Sequence, residues 1–440
     1  MKFHIETFGC QMNKSDSEAM ALSLTRCGFT RGRDVHDSDI VIFNTCSVRD
    51  HAENRALSRL RAVRGEIRSR EGMAVIAGCM AQRIGEELLR TGDADMVVGP
   101  YQSPRIGELL LEFIAGKKKS SFVSLEPGDL AERIDPGLAT IKGDFPWHKW
   151  VSITHGCENF CTYCIVPHVR GRLVSFPSEK IVDYVRTLAE SGVTEITLLG
   201  QNVNQYGADS GDIPFAELLE RVALVPGINR LGFLTSHPKD FTDDIIRVIA
   251  RNANVSRAIH LPLQSGSDRI LGLMNRRYTM EHYSQIADTI KSTLPDHSLS
   301  TDIIVGFPGE TDEDYLKTIE AVKKIGFDSA FTYAYSPRSG TPAFVMKDDV
   351  PRKEKIDRLQ ELIRIQREIG TKKLMARIAS TEVAIIERIS RKSASSVMGR
   401  TFLDHPVILP GDESDIGKKL TVRIEGVSGS SLLGHRVNNS

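Results

Sequence analysis

The sequence predicts an α/β protein made of an N-terminal parallel α/β domain, a central partial (β/α)6 barrel and a small C-terminal β-barrel. Apolar strand-like runs alternate with helix-like runs to about residue 372, a pattern typical of parallel sheets covered by helices. Short strands separated by Gly and Pro-Gly turns follow to residue 440, which favours a small closed sheet. A length of 440 residues is enough for two to three domains.

The bulk composition excludes several classes of protein. Apolar residues make up 40% of the chain and charged residues 26%, as in ordinary soluble globular proteins. The net charge is zero, so a nucleic-acid partner would need a local basic surface. We expect a cytoplasmic protein, because there is no apolar secretory segment and no run of about 18 apolar residues. The seven cysteines are an odd number, which argues against a disulfide framework and favours metal-binding thiols.

Three cysteines of the N-terminal part follow predicted strands directly. The strands are predicted at Lys2–Thr7, Asp39–Phe43 and Met73–Ile76, with helices at Ser15–Cys27 and Ala52–Arg68. Cys10, Cys46 and Cys79 therefore lie at the carboxyl ends of parallel strands, which share one ligand-binding edge. Gly9 and Gly78 precede two of them and permit tight turns. We interpret the three thiols as ligands of one metal cluster, with buried core residues as the alternative; Cys27, inside a helix, is expected to have no such role.

The central part alternates strands and helices six times. Strands are predicted at Lys149–Thr154, Glu195–Gly200, Arg230–Leu234, Ala258–Pro262, Ser300–Val305 and Ser329–Tyr335. Helices are predicted at Ser178–Ser191, Phe215–Val225, Thr242–Arg251, Asp268–Met274, Met280–Leu294 and Asp312–Ile325, and a further amphipathic one at Pro351–Lys373. Six such units predict a partial barrel with its chemistry at the carboxyl ends of the strands.

A compact cysteine motif follows the first of these strands. Cys157, Cys161 and Cys164 have C-x3-C-x2-C spacing. Three thiolates on one loop can bind three irons of a cubane cluster and leave the fourth iron open. Electron-transfer clusters normally take four cysteines, and structural zinc also takes four ligands. The spacing therefore indicates a cluster with a vacant coordination position, and zinc or another thiol site is the alternative.

This spacing resembles that of the radical S-adenosylmethionine (SAM) superfamily. The resemblance implies that the open iron chelates the amino and carboxylate groups of SAM, and that one electron then cleaves SAM to a 5′-deoxyadenosyl radical. Polar residues at the strand ends and in the cysteine loop are candidate SAM contacts, although turn formation alone could explain them. They are Tyr163, Gln201, Asn202, His260, Gln264, Ser265, Ser267 and Asp302.

The last part of the chain is short-stranded and locally basic. Strands are predicted at Thr381–Glu387, Val397–Thr401, Pro406–Leu409, Leu420–Gly426 and Leu432–Val437. From residue 371 onward there are 11 Lys and Arg against 7 Asp and Glu. Basic side chains can follow a phosphate backbone and an aromatic ring can stack on a base. We predict RNA contacts at Arg400 and Phe402 here, and at Arg170 and Arg172 after the cysteine loop; a solvated face or surface ion pairs are the alternative.

The order of the three parts resembles the methylthiotransferase family. The segments Thr7–Asn13, Asn44–Arg49 and Gly78–Gln82 are similar to those of its tRNA 2-methylthio-isopentenyladenosine synthases, and Gly399-Arg400-Thr401 resembles the signature of the TRAM domain. Leu403-Asp404-His405 stand where that signature often has an asparagine. The resemblance implies a methylthiotransferase N-terminal domain at 1–118, a radical SAM core at 143–372 and a TRAM domain at 373–440.

The resemblance also implies cofactors and partners. Two 4Fe–4S clusters would use the six cysteines of the two sets as ligands, with no catalytic residue beyond them. One SAM would methylate sulfur at the N-terminal cluster, and a second would supply the radical that takes hydrogen from carbon 2 of the adenine. The expected substrate is isopentenyladenosine at position 37 in the tRNA anticodon loop, and the expected electron donor is a flavodoxin or ferredoxin.

Alternative functions remain open from the sequence. A methylthiotransferase could act on threonylcarbamoyladenosine in tRNA or on a ribosomal-protein aspartate. From another functional class, the chain could be an iron–sulfur RNA-binding protein without enzymatic activity, or a zinc-stabilised binding module.

Overall fold

The computed structural model describes residues 1–47, 50–116, 120–126, 131–141, 143 and 145–437. Val48 and Arg49 of the second motif, and Lys118 at the predicted end of the first domain, lie outside the described residues. The chain divides into two compact units. The first comprises residues 1–144, 149–160 and 164–214, and the second comprises 145–148, 161–163 and 215–440. Across the part of the chain that is described, no helix has the length and apolar character needed to cross a membrane.

The first unit begins with a six-stranded, fully parallel sheet. Its strands are β1 (Lys2–Thr7), β2 (Thr30–Arg31), β3 (Ile40–Thr45), β4 (Met73–Gly78), β5 (Met96–Val98) and β6 (Ser121–Phe122), and their order is β2-β1-β3-β4-β5-β6. The helices are α1 (Gln11–Arg26), α2 (Asp50–Ser69), α3 (Cys79–Arg90) and α4 (Ile106–Ile114). The parallel α/β domain predicted from the sequence is confirmed.

Two hydrophobic cores cover the two faces of this sheet. Ile40 and Ile42 of β3 pack in the core that includes residues of α1 and α4. Val41 and Phe43 pack in the opposite core with residues of α2 and α3. Successive strand residues point to opposite faces, so a strand buried on both faces reads as a continuous apolar run. This is why these strands were visible in the sequence.

The rest of the first unit carries the segment around the cysteine loop. It contains β7 (His148–Ser152), β8 (Thr154–His155), α5 (Val166–Arg170), β9 (Val174–Ser175), α6 (Ser178–Glu190) and β10 (Glu195–Leu199). The predicted strand Lys149–Thr154 is divided at Ile153, whose N–H bonds Leu199 and whose carbonyl accepts from Phe176. The chain then pairs as β8 with the antiparallel strand β9.

The second unit contains the remaining βα elements. They are α7 (Phe215–Ala223), β11 (Arg230–Phe233), α8 (Asp243–Arg251), β12 (Ala258–His260), α9 (Asp268–Leu273), α10 (Met280–Thr293), β13 (Ser298–Val305), α11 (Asp312–Ile325), β14 (Ser329–Ala334) and α12 (Arg352–Met375). Strands β12, β13 and β14 are parallel neighbours. The bounds of α11 match the prediction because its ends are well signalled: Thr311 forms a capping box with Asp314, and Gly326 ends the helix in the left-handed region.

A closed five-stranded barrel ends the second unit. Its strands are β15 (Thr381–Ser390), β16 (Ser393–Thr401), β17 (Pro406–Pro410), β18 (Lys419–Ser428) and β19 (Ser431–Arg436), joined in the order β15-β16-β17-β19-β18. Apolar side chains such as Ile386, Val397 and Val422 fill its interior. Closure removes the unpaired strand edges that an open sheet would expose. The predicted small β-barrel is confirmed.

Candidate metal centres

The N-terminal cysteines converge at one edge of the first sheet. Cys10 directly precedes α1, Cys46 follows β3 and Cys79 begins α3. Their strands β1, β3 and β4 are adjacent in the sheet. Gly9 and Gly78 have φ of +123° and +86°, and a Cβ at Gly9 would overlap the Cβ of Cys46. Glycine is therefore required where the backbone brings Cys10 beside Cys46.

The thiols of this set differ in their electrostatic environment. A hydrogen bond with Cys46 lowers the pKa of the Cys10 thiol to about 6. Burial raises the pKa of the Cys79 thiol, although the charge of Arg170 acts in the opposite direction. A thiolate, not a thiol, is the metal ligand. The set therefore offers one readily ionised thiol and one that depends on a neighbouring cation.

A buried ionic network lies against Cys79. Arg170 Nε donates to the Sγ of Cys79 at 3.3 Å, and Arg170 Nη2 donates to Asp16 at 2.7 Å. Asp16 also forms an ion pair with Arg133. The side chains of Asp16, Arg133 and Arg170 are only 0%, 2% and 3% exposed. Arg170, which was predicted as an RNA contact, instead has its guanidinium inside the first unit, held by a carboxylate and a cysteine.

Sequence reasoning missed Asp16 and Arg133. Asp16 lies six residues after Cys10, inside α1, where a charged side chain usually faces solvent. Its burial depends on the partners Arg133 and Arg170, which are 117 and 154 residues away in the sequence. The only signal in the sequence was weak. It was an acidic residue in the second turn of the helix that follows a candidate ligand.

The second cysteine motif is anchored separately in each unit. In the first unit, Cys157 N–H bonds the carbonyl of Gly171 at 3.1 Å. Gly156 has φ of +76°, and a Cβ there would overlap the carbonyl of Arg172. After Cys164, Ile165 and Val169 pack in one buried cluster with Cys79.

In the second unit, residues 161–163 are held by α9 and by a buried arginine. Thr162 N–H bonds the carbonyl of Met274 at 3.1 Å. Arg276 Nη1 donates to the Sγ of Cys161 at 3.4 Å and to the hydroxyl of Tyr163 at 3.5 Å. Arg276 is 4% exposed. Sequence analysis did not single out Arg276, because nothing local distinguishes it from the exposed arginine that follows it.

The donor set fits iron–sulfur clusters by its chemistry. Each three-cysteine set offers thiols on a framework of glycine turns, and in each a buried arginine donates to one sulfur. Among the described residues, no three His, Cys, Asp or Glu side chains are grouped to hold a single metal ion. A cubane cluster differs from a single ion because each thiolate binds a separate iron atom.

Comparisons with known proteins cover nearly the whole chain. Residues 2–99 match the model of the uncharacterized protein family UPF0004, residues 151–322 match the radical SAM superfamily and residues 378–437 match the TRAM domain. The tRNA-2-methylthio-N(6)-dimethylallyladenosine synthase of Thermotoga petrophila is 42% identical over 99% of this chain and 96% of its own. The proteins of that name in Dictyoglomus thermophilum and Clostridium botulinum are each 41% identical, over 96% and 99% of this chain and 96% and 97% of their own.

The chain belongs to the methylthiotransferase family. This confirms the resemblance drawn from the motifs, and the protein is a radical SAM enzyme. Membership of the radical SAM superfamily implies a 4Fe–4S cluster and SAM. Among solved structures, the radical SAM methyltransferase TsrM of Kitasatospora setae matches with a TM-score of 0.60 at 14% identity over 78% of this chain and 75% of that one. The cobalamin-dependent radical SAM enzyme OxsB matches with a TM-score of 0.52 at 11% identity over 81% and 56%. These similarities concern the fold alone.

The predicted SAM contacts of the methylthiotransferase differ in their exposure and in the hydrogen bonds that they make. His260 and Asp302 on neighbouring strands are partly exposed, and His260 Nε2 lies 3.3 Å from Asp302 Oδ2. Gln264 is buried with φ of +69°, and within the described residues its Oε1 has no hydrogen-bond partner. Ser267 instead donates to Asp314 at 2.6 Å, and Ser265 lies 3.4 Å from Thr318. Both serines thus tie the start of α9 to α11 rather than presenting free hydroxyls.

In the first unit of the methylthiotransferase, Gln201 and Asn202 follow the end of β10 after one residue, Gly200. Asn202 is buried and Gln201 is partly buried. In the described part of the chain the Oε1 of Gln201 is buried without a hydrogen-bond partner. Such an acceptor is costly unless something else satisfies it, so Gln201 is suited to bind a ligand.

The predicted RNA contacts of the methylthiotransferase differ in their exposure and in their charged neighbours. Arg172 is exposed. Arg400 lies 3.3 Å from Glu387 and 3.4 Å from Asp404. The ring of Phe402 has Arg230 and Lys419 within 5.6 and 5.1 Å of its centroid. A ring flanked by two cations is a polar-aromatic surface of the kind that single-stranded RNA uses.

Proposed function

We propose that this methylthiotransferase converts N6-isopentenyladenosine, 3′ of the anticodon in tRNA, to 2-methylthio-N6-isopentenyladenosine. The observation that carries the proposal is the presence of two three-cysteine sets in a chain whose full-length relatives are named tRNA-2-methylthio-N(6)-dimethylallyladenosine synthase. Carbon 2 of adenine carries no acidic hydrogen and no leaving group. Acid–base catalysis therefore cannot activate this carbon, whereas a radical can remove its hydrogen directly.

In the core, Cys157, Cys161 and Cys164 would hold a 4Fe–4S cluster. When bound, this cluster supplies the electron that splits SAM into methionine and a radical able to take an unactivated hydrogen. The chain's own residues position SAM: His260 and Asp302 offer a hydrogen-bonding pair on adjacent strands. Gln201 and Gln264 offer buried amide oxygens, and Asn202 and Tyr163 are the remaining candidates.

In the N-terminal domain, Cys10, Cys46 and Cys79 would hold a second 4Fe–4S cluster, which would supply the site for the sulfur that another SAM methylates. The meeting of three strand ends and the lowered pKa of Cys10 support this assignment. In the net reaction a C2–H bond breaks and a C2–S bond forms. One SAM leaves as S-adenosylhomocysteine and the other as methionine and 5′-deoxyadenosine, with a sulfide source as co-reactant. The two electrons released when sulfide replaces the C2 hydrogen balance the two that the cleavage of SAM to 5′-deoxyadenosine consumes, so a low-potential donor such as flavodoxin or ferredoxin is needed only to supply the first electron.

We assign tRNA contacts to Arg172 in the first unit and to Arg400 and Phe402 in the second. RNA readers favour unstacked loop bases, and enzymes that modify a base take it out of its stack. The proposed domains are the methylthiotransferase N-terminal domain at 1–118, the radical SAM core at 143–372 and the TRAM domain at 373–440.

The test is an anaerobic reaction of reconstituted full-length protein with SAM, sulfide, dithionite and isopentenylated tRNA, followed by digestion and mass spectrometry of the nucleosides. We expect one methylthio group on isopentenyladenosine, together with 5′-deoxyadenosine. The same tRNA without the isopentenyl group is the matched control and should gain much less product.

Other outcomes separate the rival functions. Formation of 5′-deoxyadenosine without methylthiolation of this tRNA would keep the radical chemistry and reject the substrate. Threonylcarbamoyladenosine tRNA and the ribosomal-protein aspartate would then be the next substrates to test. If iron-loaded protein formed no 5′-deoxyadenosine, the proposed radical SAM activity would be contradicted.

A further inference from the structure

The buried ionic network of Asp16, Arg133 and Arg170 has a net charge that the first unit must compensate. Two arginines and one aspartate sum to one positive charge, and all three side chains are almost fully buried. Isolated buried charges are costly unless paired. The nearest remaining partner is the sulfur of Cys79, which accepts from Arg170 Nε at 3.3 Å. The network is therefore complete only when an anion stands at that edge of the sheet.

We propose that Arg170 is a positioning residue that holds the Cys79 thiolate and raises the reduction potential of the cluster at Cys10, Cys46 and Cys79. This inference rests on the N-terminal cluster of the proposed function. A 4Fe–4S cluster becomes more negative when it is reduced. A buried cation that donates a hydrogen bond to one of its sulfur ligands favours the reduced, more negative form.

Arg170 makes two hydrogen bonds in fixed directions, one to Cys79 and one to Asp16, which a lysine cannot reproduce together. Its Nε points to Cys79 while Nη2 is fixed by Asp16 at 2.7 Å. The planar guanidinium therefore has its orientation set by the carboxylate, and only one direction remains for the Nε–H. Arg133 pairs with the same carboxylate and bonds the carbonyl of Pro100 at 2.5 Å. Arg133 thus anchors the network without bonding a cysteine.

Helix α5 connects the end of the second cysteine motif to this arginine. Arg170 ends α5, which begins two residues after Cys164. Ile165, just before α5, and Val169, near its end, pack in one buried cluster with Cys79. A displacement of the backbone at Cys164 would therefore move α5 and with it the donor that bonds Cys79. This is a short mechanical link within the first unit.

The test uses the full-length protein with Cys157, Cys161 and Cys164 replaced by Ala, so that only the N-terminal cluster can be loaded. Iron content, optical redox titration and the electron paramagnetic resonance spectrum of the reduced form are measured. Arg170→Met should lower the ratio of reduced to oxidised cluster at a fixed potential by at least about tenfold, which is about 59 mV for one electron. Arg170→Lys should shift it in the same direction but less.

Two matched variants distinguish the effect of the Arg170–Cys79 hydrogen bond on the cluster potential from the effect of a buried positive charge. Arg133→Met removes an equally buried arginine from the same carboxylate but no bond to sulfur, and should give the smaller shift. Arg186→Met removes an exposed arginine of α6 that pairs with Asp183, and should give none. An Arg170→Met protein with full iron and an unchanged potential would overturn the proposal, as would equal shifts for Arg170→Met and Arg133→Met.

Failure of the proposed N-terminal cluster would give a different result from failure of the proposed role of Arg170. If the parent protein with the three alanines binds no iron, the N-terminal cluster itself is wrong, and the role of Arg170 falls with it. If Arg170→Met does not fold, as judged by circular dichroism, Arg170→Lys takes its place under the same criteria. Loss of iron from a folded Arg170 variant, with iron retained in Arg133→Met, supports the positioning of the Cys79 ligand.

Discussion

Two buried arginines each donate to a cysteine sulfur, one in each unit of the chain. Arg170 Nε lies 3.3 Å from Cys79 Sγ, and Arg276 Nη1 lies 3.4 Å from Cys161 Sγ. Arg170 is paired with the carboxylate of Asp16. The described partners of Arg276 are neutral apart from the cysteine: the hydroxyls of Tyr163 and Tyr278 and the carbonyl of Pro262.

The difference indicates distinct roles for the two cations. A guanidinium fixed by a carboxylate has a set orientation and a partly neutralised charge. A guanidinium among phenol and carbonyl oxygens keeps its full charge in a poorly solvated place, where it interacts strongly with any anion that binds. We therefore expect Arg276 to matter most where the core binds its anionic cluster and the carboxylate of SAM, and Arg170 to matter for one ligand of the N-terminal set.

The largest expected effect comes from removing a cysteine of each set. Cys161→Ala should abolish formation of 5′-deoxyadenosine, because three thiolates are the minimum that holds the core cluster. Cys79→Ala should retain 5′-deoxyadenosine formation and lose the methylthiolated nucleoside. Liquid chromatography of both products from one reaction measures this. If Cys79→Ala also lost SAM cleavage while keeping the iron of the core, the division of labour between the two sets would be wrong.

Arg276→Met should produce the next largest effect. It removes a buried donor to Cys161 and the positive charge beside it, and loss of such a supporting partner typically lowers metal affinity or activity by about 10–100-fold. We expect the rate of SAM cleavage to fall by about 10–100-fold in Arg276→Met. The rate of Arg276→Lys should lie between those of Arg276→Met and the parent. The matched Arg170→Met, which alters a partner of the other cysteine set, should leave the rate of SAM cleavage unchanged. Equal losses in both variants would remove the contrast between the two cations.

The comparison also shows what the sequence could predict. The parallel strands and the C-x3-C-x2-C motif were predictable because burial on both faces and ligand spacing are local properties. The convergence of Cys10, Cys46 and Cys79 followed from one topological rule. Asp16 and Arg276 were not predictable, since their burial depends on partners more than 100 residues away. Ser265 and Ser267 are candidate SAM contacts in the sequence, yet their hydroxyls lie against Thr318 and Asp314.

An effect of a different kind is expected on stability, through a feature that Arg276 lacks, the carboxylate of Asp16. Asp16→Asn leaves two buried arginines without a carboxylate and should cost about 3–5 kcal/mol in the first unit. Hydrogen exchange of the α1 amides, measured with and without the substitution, reports this loss. The amides of the second unit should be unchanged, and an equal loss there would contradict a local role.

The pH dependence of that stability follows from the same carboxylate. Burial alone would raise the pKa of Asp16, but Arg133 and Arg170 hold it below its usual range. A lowered native pKa gives stability that is present above the unfolded-state value of about 3.9 and is lost as pH falls through the native value. Acid should therefore destabilise the first unit of the parent but much less so that of Asp16→Asn. Parallel acid denaturation curves for the two proteins would show that Asp16 is not the responsible group.

The smallest expected effect comes from the other arginine of Arg170-Gly171-Arg172. Arg172 is exposed whereas Arg170 is buried, so Arg172→Ala should leave iron content and cluster potential unchanged. As a phosphate contact, Arg172 would contribute a few-fold to tRNA affinity and about one unit to the slope of log K against log salt. Filter binding at several salt concentrations measures both quantities. An unchanged slope would place Arg172 outside the RNA surface, whereas a changed cluster potential would show that the two arginines are not separate in function.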